Sequence, residues 1–230
     1  MNKKITQMLI YVLVVVAFVL IINFAIRYDY NKTKDQVTKM NVSENLFDKD
    51  ENVNKDVKID VGEIMDDENT IIVIKTNKGK IVLELNDKKA PITVKNFMSY
   101  VNNEFYNGTV FHRVIKGFMI QGGGFMPNGE QKETLESIIL ESNNGLKNLK
   151  GTVAMARTND PDSATSQFFI NTVDNDFLDY NPQSEGYAVF GKVIEGLDIV
   201  LEIEKVSTST NHGMQDWPTE AVIIEDVYLQ

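Results

Sequence analysis

The apolar residues of positions 70–230 fall mostly into short runs, and this pattern restricts the region to a fold built mainly from strands. The adjacent segments TIIVIKT and GKIVLEL have the β-branched content and spacing of a hairpin. Only residues 91–102 and 197–204 have the apolar spacing of amphipathic helices. Further strands are predicted over residues 110–114, 118–121, 152–156, 167–170, 187–190 and 221–229. Many short strands with two isolated helices favour a closed β-barrel capped at its ends over alternating β/α units.

Residues 5–26 form a nearly unbroken apolar run that contains no charged side chain. As a helix this run would be about 33 Å long, close to the thickness of a bilayer core. A cleaved signal peptide is one alternative, but the run is too long and no small-residue cleavage pattern follows it. A buried helix is the other. We therefore predict a transmembrane signal-anchor over residues 1–28.

The charges that flank this run bear on its orientation. Lys3, Lys4 and the α-amino group favour a cytoplasmic amino terminus, which would place the rest of the chain outside the cell membrane. Because Arg27 makes the other flank basic as well, a cytoplasm-facing arrangement stays open. We expect a single-pass cell-membrane protein whose main domain is extracytoplasmic.

Residues 29–69 carry twelve acidic residues and six lysines, a net charge of −6. Their apolar residues are sparse and have no sustained period. This composition predicts a largely disordered stalk between the anchor and a single domain over residues 70–230. A docking segment for a partner is the alternative.

Charge and composition exclude several functions. The net charge of −10 over 230 residues disfavours nucleic acid as a partner, because a phosphate backbone requires a basic surface. The absence of cysteine excludes disulfides, thiolate catalysis and zinc ribbons. His112 and His212 are the only histidines and lie far apart, so we interpret both as structural and predict no metal site and no cofactor.

The segment FHRVIKGFMIQGG, residues 111–123, combines one guanidinium with apolar side chains and an amide. Arg113, Met119 and Gln121 are separated by even numbers of residues, so on extended strands they could share one face. Such a face suits a mostly apolar substrate with one carbonyl group to be held. The segment indicates a binding site without a nucleophile.

Four segments occur in one order: FHRVIKGFMIQGG, then GTVAMA (151–156), SQFFI (166–170) and YAVFGKVIEG (187–196). Together they resemble the cyclophilins, a family of peptidyl-prolyl cis-trans isomerases, and in particular its compact bacterial branch. The resemblance covers roughly residues 71–227. It implies an eight-stranded antiparallel barrel capped by two helices, with no cofactor.

The resemblance also implies a role for individual residues. Arg113 corresponds to the catalytic arginine of the family. The hydrophobic proline pocket of the family corresponds to Phe118, Met119, Phe169 and Leu178. Gln121 and Gln167 correspond to polar groups that flank the substrate carbonyl, and Ala156 corresponds to a backbone-binding position on the rim.

At three further positions of the expected substrate-binding site, this sequence differs from many family members. Phe177 replaces a tryptophan of many eukaryotic members that is tied to cyclosporin binding, so we expect that drug to bind weakly. Tyr187 replaces a histidine, and Arg157 replaces a common asparagine. The first two changes are common in bacterial members, so the resemblance still implies isomerase activity.

The chemistry of the reaction suits these residues. Rotation about an X-Pro bond is opposed by a barrier of about 18–20 kcal/mol that comes from amide resonance. At the twisted transition state the prolyl nitrogen gains a lone pair, which a guanidinium would stabilise more than the planar ground state. We therefore expect an isomerase that acts on proline-containing peptides and on unfolded or folding proteins. A non-catalytic peptide-binding or chaperone module that uses the same groove is the alternative.

Overall fold

Ten strands and two α-helices are formed within residues 70–230, the part of the chain that the computed structural model describes. The strands in chain order are β1 Ile71–Thr76, β2 Gly79–Leu85, β3 Phe111–Ile115, β4 Met119–Gly122, β5 Thr152–Met155, β6 Phe168–Asn171, β7 Val189–Glu195, β8 Thr208–Asn211, β9 Met214–Pro218 and β10 Ile224–Leu229. The helices are α1 Pro91–Asn102 and α2 Leu197–Ile203, and a 3-10 turn spans Asp176–Leu178.

Eight of these strands form one antiparallel sheet in the order β10-β1-β2-β7-β5-β6-β4-β3. The sheet curls so that its two edges meet, and Val110 next to β3 forms a bridge with Ile223 next to β10. The backbone N–H of Phe111 donates to Val222 and that of Ile224 donates to Thr109, at 3.0 and 2.8 Å. The prediction of a mainly β fold with eight antiparallel strands and two helices is confirmed. The expected barrel is closed only by this short bridge, because the edge strands β3 and β10 are not paired along a continuous ladder.

Helix α1 packs against the curled sheet and supplies part of its core. Pro91 fits the first helical position because that residue has no intrahelical N–H partner to lose. Phe97, fully buried, contacts the rings of Tyr106, Phe168 and Phe190 at centroid distances of 5.1, 5.6 and 5.2 Å. These contacts join the helix to β6 and β7 inside the sheet.

The backbone N–H groups at the start of α1 have no acceptor within the helix, and two of them donate to a carboxylate that is distant in sequence. Glu141 accepts the backbone N–H of Ile92 at 3.1 Å and that of Thr93 at 2.7 Å. A carboxylate at this end also has a favourable interaction with the helix dipole. The long connection between β4 and β5, which contains Glu141, is thereby fixed to the helix.

The predicted elements agree with the structure in position and differ at their ends. The first hairpin and helix α1 lie as expected, whereas β7 continues to Glu195 and the last strand begins only at Ile224. The hairpin β8–β9 was not predicted, because all four residues of β8 are polar and exposed. Its turn contains His212 and Gly213 with φ angles of 50° and 77°, the two positive values that a tight hairpin turn requires.

The predicted anchor, residues 1–28, and the predicted stalk, residues 29–69, lie outside the described residues. Among residues 70–230, no helix combines the length and the apolar character needed to span a bilayer.

Candidate active site

Strand pairing brings one row of side chains across the outer face of the sheet. Arg113 of β3 is paired with Gln121 of β4, and Gln121 is paired with Phe169 of β6. Phe169 is in turn paired with Ala154 of β5. Because directly paired residues point to the same side of a sheet, the arginine, the amide and the apolar ring face outward together.

A cavity of about 120 Å³ opens on this face. It is lined by nine of the residues expected from the resemblance: Arg113, Phe118, Met119, Gln121, Ala156, Arg157, Phe169, Leu178 and Tyr187. Its apolar floor is formed by Met119, Phe169 and Leu178, which are all buried. These three belong to a second apolar cluster, distinct from the core inside the curled sheet. The structure therefore brings the predicted pocket together around the predicted arginine.

Gln167 and Phe177 lie next to this cavity without lining it. The side chain of Gln167 accepts a hydrogen bond from Nε2 of Gln121 at 2.9 Å, and its backbone carbonyl accepts the N–H of Ala156 at 2.9 Å. Phe177 is 67% exposed and stacks on Phe118 with a centroid distance of 5.6 Å. Gln167 thus orients a lining residue, and Phe177 extends the apolar surface outward.

The part of the rim formed by Arg157 and Tyr187 is held by polar contacts. Nε and Nη2 of Arg157 donate to the carbonyl of Gly186 at 3.0 and 2.8 Å, and its guanidinium lies 4.6 Å from the ring centroid of Tyr187. The backbone N–H of Tyr187 donates to the carbonyl of Leu178 at 2.9 Å. These bonds order the loop that supplies Leu178.

His112 is the extra residue of a β-bulge in β3. Phe111 is paired with Gly122 and Arg113 with Gln121, so His112 has no paired residue in β4. The inserted imidazole is buried, 4.7 Å from the ring of Phe125. Burial lowers the pKa of His112 to about 4, and the charge of Arg113 acts in the same direction. The ring is therefore neutral at physiological pH, and its Nδ1 atom has no hydrogen-bond partner among residues 70–230.

One residue beside the arginine was missed by the sequence analysis. Asp216 of β9 lies with its Oδ2 atom 3.9 Å from Nε of Arg113. Both residues also line a second, larger cavity of about 460 Å³. The turn dipeptide His212-Gly213 was the available signal for the hairpin, but nothing in the sequence indicates that this hairpin packs beside β3.

Several known proteins are similar in sequence to residues 71–229. Residues 71–229 match the family described as cyclophilin type peptidyl-prolyl cis-trans isomerase/CLD. Peptidyl-prolyl cis-trans isomerase B of Escherichia coli strain K12 is 56% identical over 160 residues, which cover 68% of this chain and 98% of that protein. A peptidyl-prolyl cis-trans isomerase of Acinetobacter baylyi is 56% identical over 162 residues, 70% of this chain and 86% of that protein.

Solved structures have the same fold. A Cryptosporidium parvum cyclophilin-type isomerase has a TM-score of 0.62 at 29% identity, covering 71% of this chain and 98% of its own. A structure of the same Cryptosporidium parvum protein in the presence of the dipeptide Ala-Pro has a TM-score of 0.61 at 30% identity, covering 70% of this chain and 98% of its own.

The buried imidazole makes a prediction about acid stability. An unfolded histidine takes up its proton near pH 6.5, whereas His112 resists protonation down to about pH 4. The contribution of His112 to the free energy of unfolding is therefore fully present above pH 6.5. It is lost as the pH falls toward 4, by about 3 kcal/mol in all. We expect the His112→Gln variant to have a flatter dependence of unfolding free energy on pH in this range, as measured by urea unfolding.

The exposed His212 provides the matched control, since His212→Gln also removes one imidazole. Comparing slopes instead of absolute stabilities separates the titration from any loss of packing. Equal flattening in both variants, or no flattening in His112→Gln, would contradict this assignment.

Proposed function

The chain belongs to the cyclophilin-type peptidyl-prolyl cis-trans isomerases, and we propose that it accelerates rotation about X-Pro bonds in client proteins through Arg113. The observation that carries this proposal is the position of the guanidinium on the wall of a small cavity with an apolar floor. A cavity of this kind holds a proline ring while leaving the preceding amide next to the cation.

Arg113 supplies the electrostatic part of the mechanism. As the bond twists, resonance is lost and electron density returns to the prolyl nitrogen. A guanidinium that donates to this lone pair lowers the energy of the twisted state relative to both planar isomers. Arginine suits this role because it stays charged at every relevant pH and has several donors in a fixed plane. No proton has to be transferred, so a general acid or base is not required.

The apolar floor supplies the positioning. Met119, Phe169 and Leu178 would hold the pyrrolidine ring still, so that only the preceding carbonyl rotates. They also exclude water, which would otherwise weaken the field of the arginine. The side-chain amide of Gln121, oriented by its bond to Gln167, is placed to bind a substrate backbone group on the rotating side.

We propose that the isomerase domain works outside the cytoplasmic membrane on folding proteins, tethered by residues 5–26. The length and apolar character of that run and the basic residues before it support this location. The acidic segment of residues 29–69 would then separate the domain from the bilayer and give it access to extended client chains.

Arg113→Ala is expected to lower kcat/KM for a short X-Pro peptide by on the order of 100-fold, since it removes the donor aimed at the developing charge. Arg113→Lys should recover only part of the rate, because it restores the charge without the planar fork. The measurement is cis-trans exchange of the peptide followed by NMR. Lys80→Ala, which removes an exposed cation paired with Glu195, is the matched control and should have the wild-type rate. A wild-type chain that binds the peptide without accelerating its exchange would support the non-catalytic peptide-binding module instead.

Phe177→Trp is expected to bind cyclosporin roughly tenfold more tightly than the wild-type chain, because an indole adds one hydrogen-bond donor and more apolar area at the exposed edge of the pocket. Titration calorimetry measures this change directly. Phe177→Leu, which keeps an apolar side chain without a donor, should show no gain. If the tryptophan variant binds no better than the wild type, Phe177 does not determine the drug response.

Membrane orientation can be tested with single cysteines, since the natural chain has none. In intact cells a membrane-impermeant maleimide should label Ser43→Cys, beyond the apolar run, and should not label Asn2→Cys until the cells are opened. The reverse pattern would indicate a cytoplasm-facing isomerase. Recovery of the protein in the soluble fraction would contradict the anchor itself.

A further inference from the structure

The guanidinium of Arg113 has one ion-pair partner within residues 70–230. Its Nε atom lies 3.9 Å from Oδ2 of Asp216, and the two side chains are 42% and 39% exposed. The pair is formed at Nε, the nitrogen next to the aliphatic stem of the side chain. A carboxylate at this nitrogen can orient the guanidinium while the terminal nitrogens serve as donors to a substrate.

The backbone at Asp216 is irregular in a way that directs this side chain. In the β8–β9 hairpin, Ser209 is paired with Trp217 and Asn211 with Met214, so β9 carries one extra residue in a β-bulge. Asp216 lies in this bulge with a φ angle of 59°, in the left-handed region that few residues other than glycine adopt. Bulges of this kind change the direction of a side chain and are frequent next to active sites.

The neighbouring residue anchors the bulge to the arginine strand. Trp217 is 2% exposed and its ring lies 6.0 Å from that of His112 and 6.2 Å from that of Phe125. His112 directly precedes Arg113, so the irregular residue of β3 and the irregular segment of β9 pack against each other. The two strands that carry the carboxylate and the guanidinium are therefore packed against each other.

An orienting contact of this type matters because arginine is long and flexible. Its side chain has several rotatable bonds, whereas catalysis requires the donors to stay within a narrow range of positions. A half-exposed ion pair contributes little to stability, so stability does not explain an unusual backbone at this position. Restriction of the arginine conformation is a role that this pair can have.

We propose that Asp216 is a positioning residue for Arg113, holding the guanidinium toward the proline cavity through its Nε end. This inference depends on the proposed isomerase activity. It assigns the β8–β9 hairpin a part in the reaction, through one carboxylate and without direct contact with the substrate.

The test uses the full chain in mild detergent with three variants at this position. Asp216→Asn keeps the size and tolerates a left-handed backbone, and Asp216→Gly is suited to that backbone and has no side chain. Asp216→Ala is less compatible with the bulge. If the carboxylate positions the arginine, all three should lower kcat by about three- to tenfold with little change in KM. Glu220→Gln, which neutralises an exposed carboxylate near the same strand, is the matched control and should keep the wild-type rate.

A double-mutant cycle distinguishes positioning from a general effect on the hairpin. In the Arg113→Ala background, Asp216→Asn should cause no further loss of the residual rate, since the group it orients is absent. In ¹⁵N spectra, the Nε–H signal of Arg113, one of three arginines in the chain, should shift in Asp216→Asn and keep its position in Glu220→Gln.

Three results would overturn the proposal. Wild-type or higher rates in both Asp216→Asn and Asp216→Gly would mean that the carboxylate does not assist the arginine. A loss confined to Asp216→Ala would indicate disturbance of the bulge. An equal loss with and without Arg113 would indicate a structural effect. If instead Arg113→Ala retains the full rate, the proposed catalytic role of the arginine fails, and this outcome is recognised before any Asp216 variant is compared.

Discussion

The pairing of β3 with β4, including one extra residue at His112, is the constraint on which the rest of the site depends. Phe111 faces the inner core. In a regular strand without the extra residue, Arg113 would be paired with the fully buried Ile120 and would face the same core. An unpaired cation there would be costly. The inserted residue shifts the register by one, so that Arg113 is paired with Gln121 and both face outward.

The sheet separates two apolar clusters with different roles. The inner cluster, which includes Phe97 and Ile120, joins the curled sheet to helix α1. The outer cluster, which includes Met119, Phe169 and Leu178, forms the floor of the cavity. Adjacent residues of one strand serve both, because successive side chains point to opposite faces. Met119 and Ile120 are the plainest example.

A network of buried side-chain amides holds the outer cluster in shape. Asn148 bonds Asp179 and the carbonyl of Leu178, while Asn171 donates to Asn148. Asn175 donates both to Asn171 and to the carbonyl of Phe118, at 2.7 and 2.9 Å. Two walls of the cavity are thereby connected through hydrogen-bonded polar groups, which specify a single arrangement more strictly than apolar contacts alone. Such a network favours a pocket that exists before the substrate arrives.

The sequence by itself determined the strand-rich class and the limits of helix α1, because these depend on local periodicity. Its resemblance to a known family indicated the composition of the pocket. The tertiary structure alone decided the shift at His112, the contact of Glu141 with the helix start and the approach of Asp216 to Arg113. Each of these joins segments separated by tens of residues, or depends on a single irregular backbone position. Local patterns carry no information about such pairings, since a bulge and a regular strand can have the same alternation of residue types until a partner strand fixes the register.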